Sequence, residues 1–413
     1  MDIFQKEFWI YPAMSKKVHR LIIFTESYVF GGDQQYIGDF AKVGLELFDE
    51  IYYVGNPEAF KNEKTEKLFS ETKFYPVSFV SRSRLRWKLR KFSKILRAGP
   101  LLLASLCLPV FFIVNFFILR AVLKKTKPDV IYAANGGYPA SFVVSQMAWL
   151  GKIRGCRCVY SIVNTPTPRP RWKQGFGRWI DQKIWGSVEF IIVNGKVIRE
   201  KLLNLYQAPD SKIKVITNGV ENKKLDRPAC SDLITIGSFS RLSPEKGIGD
   251  LISAFINLAD KYPNLKLKIP GVGEELENLQ GMVKSAGLSD RVEFLGFYAG
   301  DSHVFLQTLD IFALPSLYEG LPYALLEAMR AGCAIVATPV GAVKEVVSHG
   351  DSALFVQPEN IPELTEALEL LIQNTELREN LGKRARVLFE QEHTKERMAA
   401  CIKEVLIATI GKS

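Results

Sequence analysis

Two periods alternate along this chain, and that alternation constrains its fold more than any other feature. Short runs rich in Ile, Val, Tyr and Phe recur between Arg20 and Val215. They are LIIFTES, EIYYVGN, DVIYAAN, CRCVYSIVN, FIIVNG and IKVITNG, each ending in polar residues or glycine. Longer stretches with helical spacing separate most of them, which predicts βαβ units and a parallel sheet. The second half repeats the theme with LITIGSF, LKLKIPG, RVEFLGF, IFALPS, AIVATPV and ALFVQP. Between the halves, ENKKLDRPACSD (Glu221 to Asp232) is polar, holds Pro228 and has neither period, which marks a linker. At 413 residues the chain exceeds what one hydrophobic core organises. The expectation is an α/β protein of two doubly wound, Rossmann-like domains facing across a cleft. The first spans 1–222, the second 223–390, and a last helix within 391–413 can reach back to the first. Ligands of such sheets bind at the carboxyl ends of the strands.

The strand-to-helix turns of the second half hold the residues with chemical meaning. In LPSLYEGLPYALLEAMRAG (Leu314 to Gly332) a strand ends at Pro315-Ser316 and a loop presents Glu319 and Gly320. A helix then opens near Pro322 and stops at Gly332. Its start offers unpaired backbone N–H groups and a partial positive charge, a seat for phosphate or sugar hydroxyls. Glu319 and Glu327 would stand about 12 Å apart if the span between them were wholly helical. That is the order of distance between a hexose and a ribose across a diphosphate. Read singly, Glu319 is an acid favoured by the helix dipole and Glu327 a solvated helix position. An earlier turn, SRLSPEKGIGDLISAF, places Arg241 and Lys246 where both can face an anion at another helix start. A basic pair at one turn and a carboxylate pair at a later one form a far rarer combination than either alone.

With those motifs the sequence resembles the retaining glycosyltransferases of family 4, which have the GT-B fold. The likeness rests on EGLPYALLE, a Glu-x7-Glu motif, and on FSRLSPEKG with its Arg and Lys. It rests also on the turn IPGVGEE, on Asn218-Gly219-Val220 and on PVGAVKEVV, where Gly341-Ala342 stands in place of a common Gly-Gly pair. It is close over most of the second half and loose over the first. The resemblance implies that Arg241 and Lys246 neutralise the donor diphosphate and, with Glu319 at the donor sugar, form the catalytic group. Glu327 would hold the ribose hydroxyls. Backbone at Gly320, Leu321 and Pro322 would hold sugar and phosphate, and the strand end at Phe297 would lie near the base. The implied reaction retains configuration at the anomeric carbon, with the leaving phosphate helping to deprotonate the acceptor. Two fixed cations can stabilise a departing diphosphate, and no Asp-x-Asp pair stands in a metal-binding context. No cofactor and no metal are expected, and the nucleotide-diphosphate sugar is a substrate.

The first half is less explicit. Phe30-Gly31-Gly32-Asp33 follows the first strand. Gly31 and Gly32 let backbone approach a ligand closely, and the resemblance places such a loop at the cleft, while a simple turn explains it equally. Asn135, Tyr138 and Asn164 end later strands on the same side and are candidate acceptor contacts, although polar strand ends are common. Many relatives carry a histidine near the last of these. None of His19, His303, His349 or His393 stands there, which speaks against a histidine-assisted mechanism. Two rival classes remain. One is a catalytically silent nucleotide-sugar-binding membrane scaffold, whose mark would be loss of Arg241, Lys246 or Glu319. The other is a nucleotide-sugar epimerase on the same architecture.

The formal charge of +10 is concentrated between Arg82 and Arg97, RSRLRWKLRKFSKILR, a run without an acid. GPLLLASLCLPVFFIVNFFILRAV, residues 99–122, follows at once. Its roughly 19 uncharged residues reach the lower limit for a spanning helix. Bases flank both ends, Pro109 falls mid-segment, and the strands on either side must join one sheet on one side of a membrane. The favoured reading is a basic amphipathic helix and a shallow or re-entrant apolar hairpin, 82–122, docking the first domain on an anionic membrane surface. The alternative is an apolar helix buried in that domain. Nucleic acid stacked on Trp87 and Phe92 explains only the basic half, so no nucleic-acid partner is expected. Six scattered cysteines without zinc spacing, and an N-terminus without a secretory pattern, point to a reducing cytosol. The expected setting is the inner face of the cell membrane, and the expected acceptor a lipid-linked or cell-envelope glycan.

Overall fold

The computed structural model describes residues 20–28, 31–60, 63–89, 99–100, 107–139, 141–169, 174–225, 233–298 and 300–411. Seven strands form the first sheet: β1 Arg20–Thr25, β2 Glu50–Gly55, β3 Lys73–Pro76, β4 Val130–Asn135, β5 Arg157–Ile162, β6 Phe190–Val193 and β7 Ile213–Val215. They pair in the order β3-β2-β1-β4-β5-β6-β7. Six form the second: β8 Ile234–Gly237, β9 Leu265–Pro270, β10 Val292–Gly296, β11 Ile311–Leu314, β12 Ala334–Ala337 and β13 Leu354–Phe355. Their order is β10-β9-β8-β11-β12-β13, and every pairing in both sheets is parallel. Helices cover both faces, so β4 is buried at all six positions and reads as a continuous apolar run, not an alternation. The edge strand β3, KFYP, is absent from the pattern of apolar runs because it is short, partly exposed and paired only with β2.

The strand order reverses between β1 and β4 in the first sheet and between β8 and β11 in the second. Successive connections there leave toward opposite faces and open a crevice at the carboxyl ends. The turns after β1, β8 and β11 are those that hold Gly31-Gly32, Arg241 to Lys246, and Glu319-Gly320. Topology therefore gathers the chemically marked residues at two switch points. The helix Ile248–Ala259 shows how the scaffold under one of them is fixed. It buries Ile248, Leu251, Ile252, Phe255, Leu258 and Ala259, three and four residues apart, in one cluster with Leu267 and Ile269 of β9. Each such large side chain contributes about 1.5–3 kcal/mol by leaving water.

The last helix, Lys395–Gly411, crosses back to the first domain. Met398, Ile402, Val405, Leu406 and Ile410 join the cluster of Leu21, Ile23, Tyr36 and Phe40. Lys395 pairs with Asp39 at 2.7 Å, and Lys403 with Glu46 at 2.7 Å. The two strands of chain that link the domains touch each other: Val220 donates to the His393 carbonyl (3.0 Å), and Lys395 donates to the Val220 carbonyl (2.9 Å).

Of the apolar segment expected to form a hairpin, residues 99–100 are helical and a turn at Cys107 precedes a second helix, with 101–106 outside the described residues. The helix after this turn spans Leu108–Thr126, and Pro109 stands in its first turn, where its missing N–H is unpaired anyway. Leu119, Val122 and Leu123 pack into the first domain's core. Asn115 is buried because it satisfies the backbone of Val80 in both directions, at 3.0 and 2.7 Å. The opposite stripe, Val110, Ile113, Val114 and Phe117, is 38 to 61% exposed. Among the described residues no helix is long and apolar enough to cross a membrane. Residues 90–98 and 101–106 of the 82–122 segment, and 226–232 of the linker, lie outside the described residues.

Candidate functional site between the two domains

The turn after β8 ends in a short 3-10 helix, Pro244–Lys246, and Gly247 then opens the helix Ile248–Ala259. Gly247 has φ of 65°, and a Cβ there would stand 2.1 Å from the Pro315 carbonyl oxygen. Only glycine allows this loop to lie against the one after β11. The close approach places Lys246 Nζ 2.7 Å from Glu319 Oε1, with the two side chains 16% and 8% exposed. Arg241, five positions earlier, is largely exposed and meets Glu245 at 3.4 Å. The sequence put the two bases together. The structure separates their states, one held by Glu319 and the other extended into the cleft.

Glu319 and Gly320 form the tip of the loop before the helix Tyr323–Arg330, for which Pro322 is the cap residue instead of the first helical one. Backbone packing fixes that tip from two sides. A Cβ on Gly341, whose φ is 57°, would lie 2.2 Å from the Glu319 carbonyl oxygen, and Ala342 donates to the Gly320 carbonyl at 2.8 Å. The strained position is thus Gly341, so Ala342 in place of a second glycine leaves the backbone bond intact. From the first domain, Thr165 Oγ1 donates to the Glu319 carbonyl (3.0 Å) and Asn218 Nδ2 to the Leu321 carbonyl (2.6 Å). A Cβ on Gly320 would stand 2.3 Å from the Val163 carbonyl oxygen, which explains glycine at the tip.

Glu327 lies one turn into the helix, where Ser302 Oγ donates to its Oε1 at 2.7 Å. Burial raises its carboxyl above the usual range, and the Ser302 bond offsets part of that rise. Phe297, just past β10, is 58% exposed and has Lys64 Nζ of the first domain 4.7 Å above its ring. Lys64 is also near enough to Glu327 to favour its charge. Gly32 faces the donor-side helix: a Cβ there would lie 3.3 Å from Tyr323 Cδ2. Gly31, with φ of −162°, is ordinary extended backbone before the helix Gly32–Leu45.

The three candidate acceptor contacts divide. Asn164 is exposed, with its side chain beside Gly320. Asn135 is 1% exposed and donates to the Tyr160 hydroxyl at 2.8 Å, inside the domain. Tyr138 is also buried: its hydroxyl bonds Asp181, which holds Arg169 at 2.6 Å. Both strand-end residues are therefore internal braces and not cleft contacts. Sequence reasoning missed Ser302, because a hydroxyl in a loop has no local signature, and read Thr165 beside Asn164 as a candidate acceptor contact and not as a brace of the donor loop. It missed also the role of Glu345, which accepts from Lys196 N (2.6 Å) and Val197 N (2.7 Å) at the start of a helix in the other domain. Among the described residues no group of three or more His, Cys, Asp or Glu side chains could hold a metal ion.

Comparison with known proteins agrees with this geometry. Residues 221–388 match the family model described as glycosyl transferases group 1, and residues 75–224 the one described as glycosyltransferase family 4. An uncharacterized glycosyltransferase of Haemophilus influenzae is 37% identical over 38% of this chain and 44% of its own length. The lipopolysaccharide core biosynthesis glycosyltransferase LpsE of Rhizobium meliloti is 28% identical over 51% of this chain and 62% of its own. The chain thus spans about half the length of the curated relatives it matches. Anabaena Alr3699/HepE, solved in complex with UDP and glucose, has the same fold, with TM-score 0.70, 20% identity and coverage of 95% of this chain and 100% of its own.

Proposed function

The chain belongs to the group 1 glycosyltransferases, with a GT-B fold, and on that premise we propose that it moves a sugar from a nucleoside diphosphate sugar to a lipid-linked or cell-envelope glycan. The observation that carries this reading is the Lys246–Glu319 contact, made between two strand-to-helix turns at the switch point of the second sheet. A cation poised for phosphate and a carboxylate poised for sugar hydroxyls meet where the bond between sugar and phosphate must lie. Arg241, exposed on the same loop beside Glu245, would add the second positive charge. Glu327 accepts from the ribose hydroxyls while Ser302 holds it, and Phe297 gives the base an apolar platform.

In the proposed reaction the anomeric carbon's bond to the diphosphate oxygen breaks as its bond to the acceptor oxygen forms. The leaving phosphate takes the acceptor proton, and configuration is retained. Lys246 and Arg241 stabilise the diphosphate as it gains charge, with no metal required by this arrangement of charges. A glycan acceptor is supported by the relative named for lipopolysaccharide core biosynthesis. A position at the inner face of the membrane is supported by the exposed apolar stripe Val110, Ile113, Val114 and Phe117, with Lys124 and Lys125 at the end of the same helix.

UDP is the nucleotide bound by Alr3699/HepE, and it is the first probe. Calorimetry with UDP, GDP and ADP on wild type and Arg241→Ala tests the donor site. One nucleotide should bind, with affinity falling about 10-fold or more in the variant. Binding of none, or equal binding by both proteins, sinks the reading.

A further inference from the structure

We propose that Asp33 is the residue of the first domain that holds a hydroxyl of the acceptor against the donor loop, with Asn164 as its partner. This rests on the donor site argued above and extends it to the opposite wall. Asp33 stands in the first turn of the helix Gly32–Leu45 and is only partly covered. A Cβ placed on Gly136, after β4, would lie 3.9 Å from Asp33 Oδ2 and 3.9 Å from Asn164 Nδ2, with nothing nearer. The two side chains thus converge from two turns on one notch that a glycine keeps open. Asn164 continues to the donor side, where a Cβ on Gly320 would lie 3.2 Å from its Oδ1. The notch therefore lies beside the loop tip that holds Glu319. Arg241 is near enough to Asp33 to favour its charged form, although burial pushes the carboxyl above its usual range.

The inventory of Asp33 leaves a place for a ligand. A carboxylate offers about four acceptor positions. Ser27 Oγ donates to Oδ2 at 3.0 Å, and the backbone N–H groups of Asp33 and Gln34 take two more. One remains, and Oδ2 faces the notch at Gly136. A carboxylate acceptor beside an amide donor suits a polyhydroxylated ligand, whose neighbouring hydroxyls each donate and accept. Asp33 would bind a hydroxyl that does not react and so turn the adjacent one toward the donor sugar. The reacting hydroxyl's proton still leaves on the phosphate.

The test uses the full chain with UDP-glucose as donor probe and methyl glucoside as acceptor probe. UDP release is measured with water alone and with rising glucoside, and UDP affinity is measured by calorimetry. Asp33→Asn and Asn164→Ala should raise the KM for glucoside about 10-fold or more, a larger change than either makes in UDP affinity. Ser27→Ala keeps the carboxylate and should behave as wild type. Glucoside response unchanged in Asp33→Asn, UDP affinity falling in step with it, or wild type binding UDP without any glucoside response would each overturn the assignment. Failure of wild type to bind any nucleoside diphosphate would instead overturn the donor site on which it rests.

Discussion

Lys246 and Glu319 face each other at 2.7 Å before any donor arrives, and replacing each in turn gives opposite results. Lys246→Ala leaves Glu319, whose side chain is 8% exposed, without its counter-charge. Removing one partner of a fully buried pair costs about 3–5 kcal/mol. This pair opens on cleft water, so about half of that, ~2 kcal/mol, is the expectation. For a domain of this size it lowers Tm by about 4–8 °C. The same substitution removes a charge-assisted bond to phosphate, weakening UDP about 10- to 100-fold. Glu319→Gln removes the charge but keeps one acceptor oxygen for Lys246, so stability falls less than in Lys246→Ala. UDP carries no sugar for Glu319 to hold, and Lys246 is released from its tether. UDP affinity should therefore stay level or rise a few-fold while sugar transfer falls about 100-fold. Differential scanning fluorimetry and calorimetry read both quantities. If Glu319→Gln weakens UDP as much as Lys246→Ala does, the two residues act on the same part of the ligand, and the division of labour argued here is wrong.

Three further outcomes follow from other parts of the molecule. Burial raises the Glu327 carboxyl, so its proton returns early on acidification. UDP affinity of wild type should therefore begin to fall at a higher pH than an ordinary carboxyl would give, whereas Glu327→Gln should bind weakly and with a shallower pH dependence; parallel curves refute a ribose contact. Burial pushes the His393 imidazole down from 6.5 to about 4. The folded state holds fewer protons there than the unfolded one, so this stability is full above pH 6.5 and is lost as pH falls toward 4. It amounts to on the order of 3 kcal/mol, and Tm measured across that range should fall less steeply in His393→Gln. Ile113 and Phe117 are 56% and 61% exposed, so Ile113→Glu and Phe117→Glu should leave Tm nearly unchanged while reducing flotation with phosphatidylserine vesicles about 10-fold or more. Equal flotation removes the stripe from the membrane contact.

How much was legible in the sequence depended on whether a signal is local. The runs of twelve strands were, as continuous apolar segments where both faces are covered, as in β4, or as alternation where one face is open, as in β9. The edge strand Lys73–Pro76 was not, because its four residues, KFYP, include none that is fully buried and so show neither pattern. The turn residues Arg241, Lys246, Glu319 and Glu327 were marked by spacing, yet the bond between Lys246 and Glu319 spans 73 positions and only the fold supplies it. Asn135 and Tyr138 looked like cleft residues because they end a strand on the correct side. Whether a side chain at a strand end turns outward or into the core depends on neighbours such as Asp181 and Tyr160, which no local pattern encodes. Pro109 marked a kink or break within the apolar segment, and a turn at Cys107 does precede it. It stands in a first turn, and that could be known only once the helix start was placed.

The central claim is that the cleft joins a cationic phosphate seat to a carboxylate sugar seat and so transfers a sugar. Nucleotide release from a panel of nucleoside diphosphate sugars, with wild type, Lys246→Ala and Glu319→Ala compared under equal conditions, tests it most directly. The account predicts release from one donor by wild type and a loss of about 100-fold or more in each variant. Release by Lys246→Ala at the wild-type rate, or release from no donor at all, contradicts it.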